Sequence, residues 1–252
     1  MKKKWLSLSL LLCASSVLLC GSIAFADQQV DDLLDRVDRL YRSDKSYSEV
    51  EMEITTPDWQ RTMKMRMWSR GMEDTLIEIL APVKDAGVKT LKLDNQMWNF
   101  LPKIGRVIKV PPSMMMNSWM GSDFTNDDLV KENTLKDDYV SQLLPHPIDP
   151  DLYYYIELHP QPETVTVWGK VTLSIRKDDL LPVEYAYFDE RGEKIRTMSL
   201  SDVREMGGKK IPAVMEMRTL QKNSRTIIRY LNMEFNPQFE DDLFSFSNLR
   251  RR

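Results

Sequence analysis

Both cysteines of the 252-residue sequence, Cys13 and Cys20, fall within its first 26 residues. If those residues are a leader that is removed, the rest of the chain has no thiol for a disulfide or a nucleophile, and its stability rests on a packed core. Histidine is nearly as scarce. His146 and His159 are each followed by proline, and neither has a companion at a metal-ligand spacing, so both read as loop residues and no metal is expected. No G-x-S-x-G elbow, Walker loop or dinucleotide fingerprint occurs, so neither catalytic residues nor a cofactor are expected. Ser113, Ser118 and Ser122 become candidate nucleophiles only if folding brings a base to them. The acidic groups Asp123/Asp127/Asp128, Asp137/Asp138 and Asp241/Asp242 lack the alternating oxygen ligands and central glycine of a calcium loop. Helix capping and solvation are their expected roles. Positive charge is lacking too. With 35 basic and 38 acidic residues overall, three of the lysines in the first 26, residues 27–252 carry a formal charge of −6, which argues against a nucleic-acid partner.

The N-terminus contains the sequence's one long apolar run. Lys2, Lys3 and Lys4 precede the stretch from Trp5 to Leu19, and Ala24-Phe25-Ala26 follows with small residues at the cleavage spacing of a secretory signal. The run falls short of the roughly 20 residues of a comfortable membrane span and is broken by serines. Cleavage after Ala26 is therefore predicted, with Asp27 the first residue of an exported chain. Lipidation at Cys20 is the less favoured alternative, because Leu19 is larger than the small residue expected before a lipidated cysteine.

Residues 27–252 read as one domain. "DQQVDDLLDRVDRLY" spaces Val30, Leu33, Leu34, Val37, Leu40 and Tyr41 as one face of a helix. "EVEMEIT" then alternates Val50, Met52 and Ile54 with glutamates, and "RTMKMRMW" alternates Met63, Met65 and Met67 with polar residues; together they predict a hairpin with one wet face. Further short segments follow, separated by Pro, Gly, Asp and Asn: "DTLIEILAP", "GVKTLKL", "NQMWNFLP", "GRVIKVP", "YYYIEL", "ETVTVWGKVTLSIRK", "LPVEYAYFD", "KIRTMSLSDV", "KIPAVMEMRTL" and "TIIRYLNMEF". About ten to twelve strands and two or three short helices are expected, in an α+β fold whose long antiparallel sheet curls around its helices.

Methionine is the compositional anomaly. Ten of the 15 methionines beyond the leader lie between Met52 and Met120. Met63, Met65 and Met67 fit the buried face of a strand. Met114, Met115 and Met116 do not fit one narrow stripe, because three successive helical residues cover about 200° of the circumference. Polarizable, unbranched side chains suit surfaces that accommodate variable apolar partners, so at least one of the three is expected to meet a partner, a second apolar layer or a cavity.

The segment "APVKDAGVKTLKLDNQMWNFLPKIGRVIKVPPSMMMNSWMGSDFTNDDL" resembles outer-membrane lipoprotein-sorting-like proteins of the LolA/LolB superfamily. The likeness is carried by a turn with Pro82, Lys84 and Gly87, an aromatic strand with Trp98, Phe100, Leu101 and Pro102, basic Arg106 and Lys109, and the segment from Met120 to Phe124. It implies a periplasmic carrier whose incomplete, strongly curled antiparallel barrel holds acyl chains of a lipid or lipoprotein in an apolar cavity. An inner-membrane transporter and an outer-membrane acceptor are the partners such a role admits. Candidate cavity residues are Met63, Met65, Met67, Trp98, Phe100, Met114, Met115, Met116, Trp119 and Phe124. Two alternatives stay open: a lipid-hydrolysing enzyme on the same scaffold, and a non-catalytic envelope protein whose sheet binds a protein partner.

Overall fold

The computed structural model describes residues 28–130 and 135–251, so the leader reading of residues 1–26 lies outside the described residues. Helix α1 occupies 28–38. Strands β1 (Lys45–Thr55), β2 (Gln60–Arg70), β3 (Asp74–Ala81), β4 (Lys89–Leu93), β5 (Gln96–Leu101) and β6 (Arg106–Lys109) follow. A long connection then carries the 3-10 turn Pro112–Met114 and the short helices α2 (Asn126–Val130) and α3 (Leu135–Asp138). The second half contributes β7 (Tyr139–Pro145), β8 (Tyr153–Pro160), β9 (Lys170–Arg176), β10 (Pro182–Phe188), β11 (Lys194–Met206), β12 (Lys209–Thr219) and β13 (Ser224–Phe235), and ends with α4 (Phe246–Arg250).

All 13 strands form one antiparallel sheet in the order β6-β5-β4-β3-β2-β1-β13-β12-β11-β10-β9-β8-β7. Two meanders are thus joined back to back through the β1–β13 ladder. The sheet is not closed: β6 and β7 are its free edges, and the β6–β7 connection joins them. One interior cluster takes residues from α1, from β1 to β3, from β8 to β13 and from the connection, an arrangement that fits a curled, half-open barrel.

The predicted first hairpin is present, with Met63 opposite Met52 and Met65 opposite Val50. Val50, Met52 and Ile54 are buried, as are Val30, Leu33, Leu34 and Val37 of α1. Among the described residues, thirteen strands replace the expected ten to twelve, and four short helices replace two or three. The unforeseen strand is β7, "YVSQLLP", an edge strand with no fully buried residue and so little apolar alternation to betray it. Conversely, the predicted segment "ETVTVWGKVTLSIRK" is strand only from Lys170.

A second cluster covers the opposite face of β3 to β6. Leu76, Leu91 and Phe100 pack there against Phe244 and Leu249 from the C-terminal segment. Ser245 caps α4 by accepting from the Asn248 amide at 3.1 Å. At the other end, the buried Lys89 ammonium donates to the Arg251 carbonyl at 2.8 Å.

Candidate functional site: an apolar cavity beneath the strand connection

The "MGSDFTNDD" segment has the local chemistry of a clamp. Met120 and Gly121 take positive φ values of 53° and 80°, reversing the chain. A Cβ at Gly121 would stand in ordinary contact with the Trp59 ring at 3.5 Å, so it is the positive φ that favours glycine here. The Asp123 carboxylate accepts from the hydroxyls of Ser224 and, at 2.7 Å, Thr226, while its amide donates to Thr226 Oγ1 at 2.9 Å. Two residues on, Thr125 and Asp128 satisfy each other reciprocally. The Thr125 amide donates to Asp128 Oδ2 at 2.7 Å, and the Asp128 amide donates to Thr125 Oγ1 at 3.1 Å, in the manner of a capping box.

Asp128 has a second task. Arg196 of β11, 3% exposed, donates from Nη1 to Asp128 Oδ2 at 2.8 Å and from Nη2 to Oδ1 at 2.5 Å. Its guanidinium stands 4.4 Å from the Trp168 ring centre and 4.2 Å from that of Tyr187. Burial by itself would lower the arginine pKa, but the facing Asp128 carboxylate holds it above its ordinary value. Burial also pushes the Tyr187 phenol up to about 12. Asp123 thus ties the connection to β13 and Asp128 ties it to β11. A third tie runs from Trp119 Nε1 to Thr90 Oγ1 of β4 at 3.2 Å. The acidic residues serve capping and anchoring, and among the described residues no cluster of three or more His, Cys, Asp or Glu could hold a metal ion.

Between the connection and the sheet lies a cavity of about 180 Å³. Its apolar wall draws on α1 (Val37), β1 (Val50, Met52), β2 (Met65, Met67), β11 (Met198, Leu200), β12 (Met215, Met217) and β13 (Ile228, Tyr230), with Trp119, Phe124, Leu129 and Leu135 from the connection and α3. Asp127, Asp128, Asp138 and Thr166 supply polar groups where the connection meets the loop before β9. A cavity of about 150 Å³ suffices for a benzene-sized guest. This one therefore takes a short apolar segment as it stands, and a longer chain requires the connection to yield.

The candidate residues separate into three groups. Met65, Met67, Trp119 and Phe124 line the cavity, and Met63 is fully buried in the same interior cluster. Trp98 and Phe100 lie on the opposite face, under the C-terminal segment, with Trp98 edge-on to Phe246 at 5.1 Å. Met114 and Met116 are 48% and 36% exposed, Met115 is half-buried, and none of the three borders the cavity. The reason is local: only Met114 belongs to the three-residue 3-10 turn Pro112–Met114, Met115 caps it and Met116 follows in a turn, so the run is not a helix laid inward. Sequence reasoning missed the methionines Met198, Met215 and Met217 of β11 and β12, whose alternation with polar neighbours was the available signal.

The scarce nucleophiles and bases have structural duties. His146 Nδ1 accepts from the Asp149 amide at 3.0 Å, and His159 Nε2 meets Glu157 Oε1 at 2.8 Å. The hydroxyls of Ser118 and Ser122 donate to the carbonyls of Ser122 (2.5 Å) and Trp119 (2.7 Å).

The open antiparallel sheet has the fold that the resemblance to the LolA superfamily implied, and solved structures share that fold. A LolA superfamily protein from Nitrosomonas europaea is 22% identical, with 86% of this chain and 98% of that one covered and a TM-score of 0.72. A domain named for outer membrane lipoprotein sorting, from Vibrio parahaemolyticus, is 18% identical over 89% and 97%, with a TM-score of 0.73. A DUF1329 family protein from Desulfovibrio piger is 26% identical over 86% and 96%, with a TM-score of 0.78. More particularly, the chain belongs to the family, described as "Uncharacterized protein", whose sequence profile matches residues 71–251. No curated protein matches it.

Proposed function

We propose that this protein is a periplasmic, non-catalytic carrier that shelters the acyl chain of a lipid or lipidated protein in the cavity beneath the β6–β7 connection. The observation that carries the reading is the cavity itself, walled by aliphatic, methionine and aromatic side chains in a fold of the LolA superfamily. Burying about six methylenes, a benzene-sized length, at about 0.8 kcal/mol each would contribute about 5 kcal/mol. That favours capture and still permits release. Methionine lining suits chains of differing length and unsaturation.

The leader-like sequence of residues 1–26 supports export, and the similarity to a domain named for outer membrane lipoprotein sorting supports a carrier role, for which an inner-membrane transporter and an outer-membrane acceptor are the proposed partners. The test is displacement of an acyl-chain fluorophore by palmitate and by lysolipid, with mass spectrometry of organic extracts of the purified protein. Binding should persist from low to high salt, because apolar burial dominates it. Absence of extractable lipid together with no displaceable probe would remove the carrier reading and favour a protein-binding envelope module.

A further inference from the structure

A second concavity lies on the outside of the same wall. A groove of about 490 Å³ is lined by Arg36, Arg39, Lys209 and Lys210, with Asp35 and Asp179 its only carboxylates. Both carboxylates are engaged: Asp35 accepts from Lys136 at 3.2 Å, and Asp179 pairs with Arg176, which also faces Asp178 at 3.6 Å. Lys209 is engaged as well, its ammonium 3.1 Å from the Arg42 carbonyl and 3.9 Å from the Phe235 ring centre. Arg36, Arg39 and Lys210 remain exposed around the groove. Their three charges far exceed the roughly half-charge of the nearby α1 C-terminus, so complementing the helix dipole does not account for them. On a chain whose residues 27–252 total −6, this is a local inversion of sign.

The groove and the cavity share a wall. Leu40 borders both, and Leu181 on the groove adjoins Pro182 on the cavity. An apolar space thus lies on one side of a single leucine and a cationic space on the other, the spacing an amphiphile presents between its first methylenes and its head.

We infer that this groove is an anion site for the phosphate-bearing head of a negatively charged amphiphile whose acyl chain enters the cavity past Leu40. The inference rests on the carrier reading and adds the head-group class to it. Guanidinium pairs suit phosphate oxygens, and Lys210 adds a further charge.

Titration of the intact chain with lysophosphatidylglycerol, lysophosphatidylcholine of the same chain length and inorganic phosphate, the lysolipids below their critical micelle concentrations, tests it. The anionic lysolipid should bind at least about tenfold tighter than the zwitterionic one, a preference of the size a few exposed cationic contacts confer. Inorganic phosphate should bind far more weakly than either. The triple variant Arg36→Glu/Arg39→Glu/Lys210→Glu should abolish the preference by lowering lysophosphatidylglycerol affinity much more than lysophosphatidylcholine affinity, and Arg39→Gln/Lys210→Gln should reduce the preference without reversing charge. Equal binding of both lysolipids, untouched by the variants, overturns the head-group site and leaves the carrier reading standing. Phosphate binding as tight as the anionic lysolipid makes the groove a free-phosphate site and overturns its link to the cavity. If neither lysolipid binds, the carrier reading falls and this inference falls with it.

Discussion

Arg196 shows how one side chain sets the position of a whole segment. A buried guanidinium paired to a single carboxylate is costly to orphan, so removing the partner is worse than replacing both. Asp128→Ala is expected to lower stability by about 3 kcal/mol in urea unfolding, while Asp128→Leu/Arg196→Met recovers most of that loss except about 1 kcal/mol for the missing cap. Equal destabilisation by the single and double variants would show that the pair does not anchor the connection. The neighbouring phenol supplies a pH test. Tyr187 has its pKa raised from 10.0 to about 12 by burial, so its neutral form is favoured in the folded state. A group raised on folding contributes fully below its unfolded value and loses that contribution as pH rises through the folded one. Melting temperature should therefore fall between pH 10 and 12, and fall less steeply in Tyr187→Phe. Tyr47, also raised to about 12, first by burial and then by its bond to Glu49, leaves a residual slope in that variant.

Among the elements, the methionine run and the C-terminal cover exchange the importance their composition suggests. Met114→Gln and Met116→Gln are each expected to change stability by less than about 0.5 kcal/mol, since both residues reach solvent and neither belongs to a core cluster or the cavity wall. Leu249→Ala should cost about 2–5 kcal/mol by opening a void against Leu91 and Phe100, although α4 has only five residues. Thermal unfolding of the three variants side by side decides between these assignments. The contrast also marks what could be read in advance. Period-two alternation gave the faces of β1 and β2 and their joining as a hairpin, because each strand has one wet side, while the register that sets Met65 opposite Val50 came only with the structure. It also showed that Trp98 and Phe100 share a face, but not which one. That depends on a C-terminal segment more than 130 residues away, and local periodicity is silent on such distances. The capping role expected of the acidic residues is met by Asp128 with Thr125 at the start of α2, whereas the anchoring of Asp128 to Arg196 and of Asp123 to Thr226 arises only when the sheet brings β11 and β13 beneath them.

On the scale of the whole molecule, the sheet is held at its centre and free at its margins. The 11-residue strands β1 and β2, with β13 beside them, form long ladders at the join of the two meanders, whereas β6 has four residues and only one neighbour. Amides of β1, β2 and β13 should therefore exchange with solvent only through global unfolding, and those of β6 and β7 through local opening. The connection spans those margins, held by bonds such as Trp119 N to Phe124 O and Asp127 N to Met115 O, both 2.8 Å. A guest in the cavity must lose its contacts when the connection lifts. Lauryl-chain lysolipid should consequently slow exchange at Trp119, Asn126 and Asp127 by a factor of one plus the ratio of free lysolipid concentration to Kd, as linkage requires of any opening that releases the ligand. The C-terminal cover lies across the sheet from the cavity and can open without disturbing the guest, so Leu249, bonded to the Ser245 carbonyl at 2.9 Å, should exchange at an unchanged rate. Protection of Leu249 with no effect at Asp127 would put the guest on the opposite face, and the connection would then cover ordinary core. Slowing at Asp127 with none at Leu249 places the guest beneath the connection, whose opening costs the guest its contacts.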